Sequence, residues 1–327
     1  MMSDMMRVSR GKKIHSLNEY ILCNSSARLK HSGSVSLLKS LLSNPCLKPL
    51  VPPLCLLLFV IHGLGDKLHN FVAGIFIPQY HYPYAVSLCF GQAVIALLFL
   101  NLPHLLGVVS LQSYSRVLGE KLLVPSICSS IYGVLSMWAK ANCSNSGLFP
   151  LVMPLLPLLI MLMSFLLKLP SPLYIHISVL ISFFGLTIFV TTVAHSVPGV
   201  DILEYIYAPL ALILFSVSLI WLAKVSEVER QQPLHIQASV FDIYYCHLVN
   251  QSGVLGILWL LHSDNPWHVL SQGSWHSLLF HGYLLAILLL GMALNFVVGI
   301  TVLCFSPLAG AVLHSAYQLT LPFLQYI

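Results

Sequence analysis

Apolar residues run through the chain in nine long blocks, at roughly 54–77, 82–106, 122–140, 147–168, 172–195, 203–224, 238–262, 276–304 and 308–327. Each approaches the length of about 20 residues that a helix needs to cross bilayer hydrocarbon. Nothing alternates with a period of two, as the strands of a membrane barrel must. A segment inside lipid can satisfy its own backbone only as a helix, so the pattern predicts nine membrane-spanning α-helices. The fourth block reads GLFPLVMPLLPLLIMLMSFLL from Gly147 to Leu167 and holds Pro150, Pro154 and Pro157. Each proline removes a backbone donor and crowds the preceding turn. A broken helix that lines a cavity, not a straight one against lipid, is expected there.

Polar residues interrupt four blocks at helical spacing. The first reads VIHGLGDKLHNFVAG, which puts His62, Asp66, His69 and Asn70 on one face and turns Lys67 about a quarter turn away. Charged groups at bilayer depth cost on the order of 3 kcal/mol each on insertion scales, so they mark candidate sites. An internal ion pair of Asp66 with His62 or His69 is one reading of this face, and a polar seam against another helix is the other. In the seventh block Asp242, Tyr245, Cys246 and Asn250 share a face. The eighth carries Asn295 between Gly291 and Gly299, two residues that permit close packing, and the ninth places Gly310, His314, Tyr317 and Gln318 on one stripe. Four such stripes in one bundle predict a shared central cavity. The candidate substrate-binding residues are Asp66, Lys67, Asp242, Tyr245, Asn295, His314 and Gln318.

Composition and charge add class and orientation. Of 327 residues, 57% are hydrophobic and 8% charged, against roughly 25% charged in soluble domains. Such a chain cannot coat a surface that faces water. Residues 1–50 form a separate basic segment with eight Lys and Arg from Arg7 to Lys48 against Asp4 and Glu19. It reads as a disordered cytosolic tail, with SLLKSLLS as an alternative surface helix. Residues 51–327 form the polytopic domain. Arg116 and Lys121, Lys168, and Lys224 and Arg230 fall in loops on the side of the tail, whereas the opposite loops hold only Lys140. The excess of basic residues places the tail and these loops in the cytosol. Asn142-Cys143-Ser144 is a glycosylation sequon on the far side, very close to the membrane. The eight cysteines are scattered without metal-ligand spacing, and no serine elbow, phosphate loop or carboxylate pair suggests an enzyme. No cofactor, metal or nucleic-acid partner is expected.

Several stretches resemble a known family in order. AVSLCFGQAVIALL after YHYPY resembles its second helix. SSIYGVLSMWAKANCSNSGLFPLVMPLLPLLIMLM resembles helices three and four, and FDIYYCHLVNQSGVL resembles helix seven. LLLGMALNFVVGITVLCFSPLAGAVLHSAYQL resembles helix eight into helix nine. The family is that of the nucleotide-sugar transporters of solute carrier family 35, in the drug/metabolite transporter superfamily, with most likeness to the D subgroup. The resemblance is diffuse and covers most of residues 55–320.

It implies an all-α membrane bundle of two inverted five-helix repeats, ten helices of which nine are apparent, so this chain either ends at nine or is a shortened form. It implies exchange of a cytosolic nucleotide sugar for a luminal nucleoside monophosphate at the Golgi or ER membrane, with substrate bound between the repeats. It also leaves room for a homodimer within the lipid bilayer. Four family positions are altered. The basic place in helix four falls on Met153 and Pro154, the helix-nine lysine on His314, the helix-seven asparagine on Cys246, and the helix-one Asn-Lys on Ala73-Gly74. A pyrophosphate brought out of water without a cation costs several kcal/mol. Lys67 or a protonated His314 is the expected substitute, and the anion chemistry is expected to be weaker. The alternative is a divergent member that no longer transports and acts in membrane interaction or trafficking.

Overall fold

The computed structural model describes residues 51–80, 85–107, 111–142, 148–167, 175–195, 203–232, 237–262, 266–272 and 274–319. The basic tail, Lys168, Cys143 and Ser144 of the sequon and the end of the ninth block lie outside these residues. Among the described residues every regular element is helical. They are α1 (Val51–Gln79), α2 (Ala85–Leu105), the short α3 (Arg116–Lys121), α4 (Leu123–Asn142), α5 (Leu148–Val152), α6 (Leu156–Leu166), α7 (Ile175–His195), α8 (Glu204–Arg230), α9 (Val240–Leu261), the short α10 (Pro266–Gln272), α11 (Leu278–Cys304) and α12 (Pro307–His314). Residues 58–106 and 111–327 form one compact unit, and the packing described below is that unit's own. The other unit, residues 1–57 and 107–110, is described at the first turns of α1 and at Gly107, whose φ of 69° glycine adopts without a side-chain clash.

Five stretches are long and apolar enough to cross a membrane: Cys55–Gln79, α2, Leu148–Leu166, α8 and α11. Large apolar side chains such as Leu64, Phe71, Leu98, Phe165, Phe183, Ile206 and Leu285 stand exposed along these helices and α7. Lipid, not water, is the solvent in which such a surface is stable, so the chain is a multi-pass α-helical membrane protein. The helices α4 and α9 have 20 and 22 residues but fall outside that set of five. Both carry many polar side chains, and both pack in the interior, α4 against α8, α9 and α2.

The fourth block is broken, as its prolines dictate. Its path runs α5, then a 3₁₀ turn at Met153–Leu155, then α6 with Pro157 in its first turn, where a missing N–H costs least. The break is not part of the chamber described below. Met153, Pro154 and Leu156 are buried within the larger of two apolar cores, which joins α4, α5, α6, α8, α9, α11 and α12. Pro157 has no N–H for the Met153 carbonyl, and a neighbouring hydroxyl replaces it, while a second neighbour packs closely against the turn. The Ser315 hydroxyl, just past α12, donates to the Met153 carbonyl at 3.0 Å. The Pro154 carbonyl rests against Gly185 of α7, where a Cβ would collide with it. The irregular backbone is therefore buried in protein, the other circumstance in which a membrane tolerates it.

The second core gathers α1, α2, α10 and α11. Phe76, Tyr80, Trp275 and Phe280 stack there with ring centroids 5.2–5.4 Å apart, at spacings that favour tilted and edge contacts.

Ser315→Ala leaves the buried Met153 carbonyl without a donor and is expected to lower stability by about 1–3 kcal/mol. Gly185→Ala drives a methyl into the Pro154 carbonyl and is expected to destabilise as well. Thermal unfolding of the purified protein in lipid nanodiscs measures both, and unchanged midpoints would show that the break is not held by these contacts.

Candidate functional site

Where the polar faces of α1, α4, α9 and α11 turn inward they enclose a chamber of about 120 Å³, closed off further by α2, α8 and His314 of α12. Helical spacing decides what each helix shows it. From α1 come His62, Asp66 and His69, separated by four and three residues. From α4 come Ser129, Tyr132, Ser136 and Lys140, again at steps of three and four. From α9 come Tyr244, His247 and Gln251, and Asn295 comes from α11. The Tyr244 ring occupies the space where a Cβ on residue 299 would stand, so Gly299 lets α9 and α11 approach this closely.

Hydrogen bonds fix most of this lining. The Lys140 ammonium lies 2.9 Å from Nδ1 of His69. An ammonium only donates, so His69 accepts at Nδ1 and carries its proton on Nε2. The Asn70 amide donates to the Asp66 carboxylate at 3.3 Å. The Tyr132 hydroxyl and His314 Nε2 are 2.7 Å apart, and the Tyr132 ring stacks on Phe215 with centroids at 4.1 Å. Nδ1 of His247 meets the Ser126 hydroxyl at 2.9 Å. Two side chains stay incomplete. Nε2 of His69 is buried without a hydrogen-bond partner, and buried His62 has one ring nitrogen turned to the Leu294 backbone and the other without a partner. Buried polar atoms of this kind are rare and mark a place where a ligand or water completes the network.

Of the seven sequence candidates, the structure brings Asp66, Asn295 and His314 to the chamber. The other four lie elsewhere. Lys67 is exposed on the outside of α1. Asp242 belongs to the start of α9, where it forms a capping box with Ser239 and also accepts the Gln112 N–H at 2.8 Å. Tyr245 packs against the larger apolar core. Gln318 lies beyond α12, outside the chamber lining, with its Oε1 buried and unpartnered. The face shared by Asp242, Cys246 and Asn250 is buried at the first two and half-buried at Asn250, and it meets α3 and its approach, not the chamber. Asn250 accepts from the Tyr114 hydroxyl at 2.8 Å and donates to the Gly119 carbonyl at 2.7 Å. Nor does Asp66 form the expected ion pair with a histidine. Among the described residues the ion pairs are Arg116–Glu120 and Lys121–Glu229, and Asp66 faces the chamber while accepting from Asn70 of its own helix.

Sequence reasoning missed Lys140, Tyr132 and His247. The signal was present, since SSIYGVLSMWAK repeats Ser129, Tyr132, Ser136 and Lys140 along one face. Lys140 had been assigned to a loop, although α4 carries it inside.

No protein-family model and no curated protein sequence matches this chain.

Two expected outcomes separate the chamber from the capping network. Asp242→Ala strips an acceptor from two backbone N–H groups and should cost on the order of 1–3 kcal/mol of stability, read by thermal unfolding, with the chamber unchanged. In a background with its native cysteines replaced, Ser136→Cys and Gln251→Cys should react with a small water-soluble thiol reagent faster than Tyr245→Cys, and equal rates would contradict a water-accessible chamber.

Proposed function

We propose that this protein is a membrane solute carrier that works by alternating access, exchanging a nucleotide sugar for a nucleoside monophosphate at the Golgi or ER membrane, as the family resemblance implies. One observation carries this reading. A polar chamber lies among lipid-facing helices, and both halves of the chain build it, α1, α2 and α4 from the first and α8, α9, α11 and α12 from the second. A structural seam needs polar groups that satisfy one another, whereas this lining keeps unpartnered imidazole nitrogens and an ammonium bonded only to a neutral imidazole among the described residues. Substrate held between two halves that rock against each other is the geometry of carriers built from inverted repeats.

Ties at one end of the bundle suit such a cycle. Lys121 of α3 bonds Glu229 of α8 at 2.7 Å, and the Arg230 guanidinium donates to the Leu303 carbonyl at the end of α11. With the tail in the cytosol, these ties lie on the cytosolic side and hold that end together in the conformation described.

Size favours a second reading. Ligand pockets run to about 300–1,000 Å³, so a chamber of about 120 Å³ must widen before a nucleotide sugar fits. A chain that never widens would be the non-transporting member, with a role in membrane interaction or trafficking.

Proteoliposomes decide between them. Vesicles loaded with UMP or GMP are expected to take up labelled UDP- or GDP-sugar saturably, and faster than empty vesicles. Uptake that is absent for every nucleotide sugar, in protein shown to be folded, would support the second reading.

A further inference from the structure

The chamber's cation stands where the sequence pattern did not place one. We propose that Lys140 is the phosphate anchor of this chamber, the residue that holds the anionic group of an organic phosphate within the membrane. The inference rests on the carrier reading above and names the group in that site that meets substrate charge.

Lys140 is the only lysine or arginine among the described lining residues. Among the described residues its one hydrogen bond is to a neutral partner, Nδ1 of His69, which leaves two of its three donors to meet a ligand. Among the described residues no carboxylate lies within 4.0 Å of it, and the ion pairs there join other groups. Asp66 lines the same chamber but is bonded to Asn70 instead. The histidines add to the demand for an acceptor. His62 and His69 are 5% and 4% exposed, and each has a ring nitrogen without a partner. On His69 that nitrogen is Nε2, which carries the proton because Nδ1 accepts from Lys140. A phosphate oxygen accepts from an ammonium and from an imidazole N–H alike, and charge-assisted bonds of this kind are the strong ones.

The other cations of the bundle are excluded by position. Lys67 is exposed on the outer side of α1, Arg116 is exposed and paired with Glu120, Lys121 is paired with Glu229, Lys224 lies over the Trp221 ring, and Arg230 is bonded to the Leu303 carbonyl. The place where the resemblance would put a basic residue, Met153 and Pro154, is buried in the apolar core and not in the chamber. A cation there would have no anion to meet. The positive charge has in effect moved from the fourth span to the end of the third. Asp66 then acts against the ligand. A carboxylate in the same chamber repels a phosphate through a medium of low dielectric, and it confines the anion to the Lys140 side.

Isothermal titration of the full chain in nanodiscs tests this, with UMP and GMP against uridine and guanosine as probes. The monophosphate should bind more tightly than its nucleoside. Lys140→Gln should reduce that preference about tenfold or more while leaving the nucleoside affinity in place, and Lys140→Arg should retain it. Asp66→Asn should shift the preference the other way, raising monophosphate affinity. A purely structural role for Asp66 does not give that sign. Should Lys140→Gln not fold, labelling of the unmodified protein decides instead. UMP should protect Lys140 from a small acylating reagent, read by mass spectrometry, and uridine should not. Monophosphate binding with the preference unchanged in Lys140→Gln, or Lys140 acylated equally with UMP and with uridine, overturns the anchor and leaves the carrier reading standing. A wild-type chain that binds no nucleotide overturns both.

Discussion

Carbonyl oxygens released inside a bilayer have no water to turn to. Pro157 in the fourth span releases the Met153 carbonyl in the middle of the bundle, and the fold answers with the Ser315 hydroxyl, while a bare Gly185 makes room for the turn at Pro154. Those two contacts fix where α12 and α7 must lie. They also hold α5 and α6 in the larger core instead of at the chamber wall. The remaining helices are then left to build the chamber, and the sequence of each is divided accordingly, apolar where it meets lipid and polar where it turns inward.

That division explains why the chamber's chemistry is concentrated on α1, α4 and α9. A serine, tyrosine or histidine facing hydrocarbon costs free energy that a neighbour cannot recover, whereas the same residue facing a shared hollow finds partners. Ser126 and His247 tie α4 to α9, Tyr132 and His314 tie α4 to the chain's end, and Lys140 and His69 tie α4 to α1. Each is a hydrogen bond between distant parts of the sequence. The lining is therefore also a set of cross-links, and what it leaves unmatched among the described residues lies on His62, His69 and Lys140.

Much of the helical layout was legible in the apolar blocks, because length and hydropathy are local properties. Block ends at 54–77 or 276–304 fall close to those of α1 and α11. The proline break was legible for the same reason, although its surroundings were not. The site was legible only in part. Helical spacing states which side chains share a face, and it did so correctly for Asp66 with His62 and His69. It cannot state what that face meets. Asp242 and Asn250 share a face that meets α3 and the strand of chain before it. Asp242 lies three residues past a serine at a helix start, a spacing that signals capping as readily as a binding site. Lys140 was hidden by a different error, a charge near a block's end counted as loop.

The helices α4 and α9 have a consequence for how the protein is made. Neither is apolar enough to rank among the five stretches that would enter a membrane on their own merit. Each has its polar stripe covered only by other helices, and α8, the main neighbour of α4, is translated long after it. During synthesis Lys140 of α4 can meet His69 of the earlier α1, whereas Ser126 and Tyr132 find their partners His247 and His314 only when the second half of the chain arrives. Assembly of this protein is consequently coupled across its whole length, and a ribosome that stalls before α8 leaves a half-made product with a polar flank open to lipid.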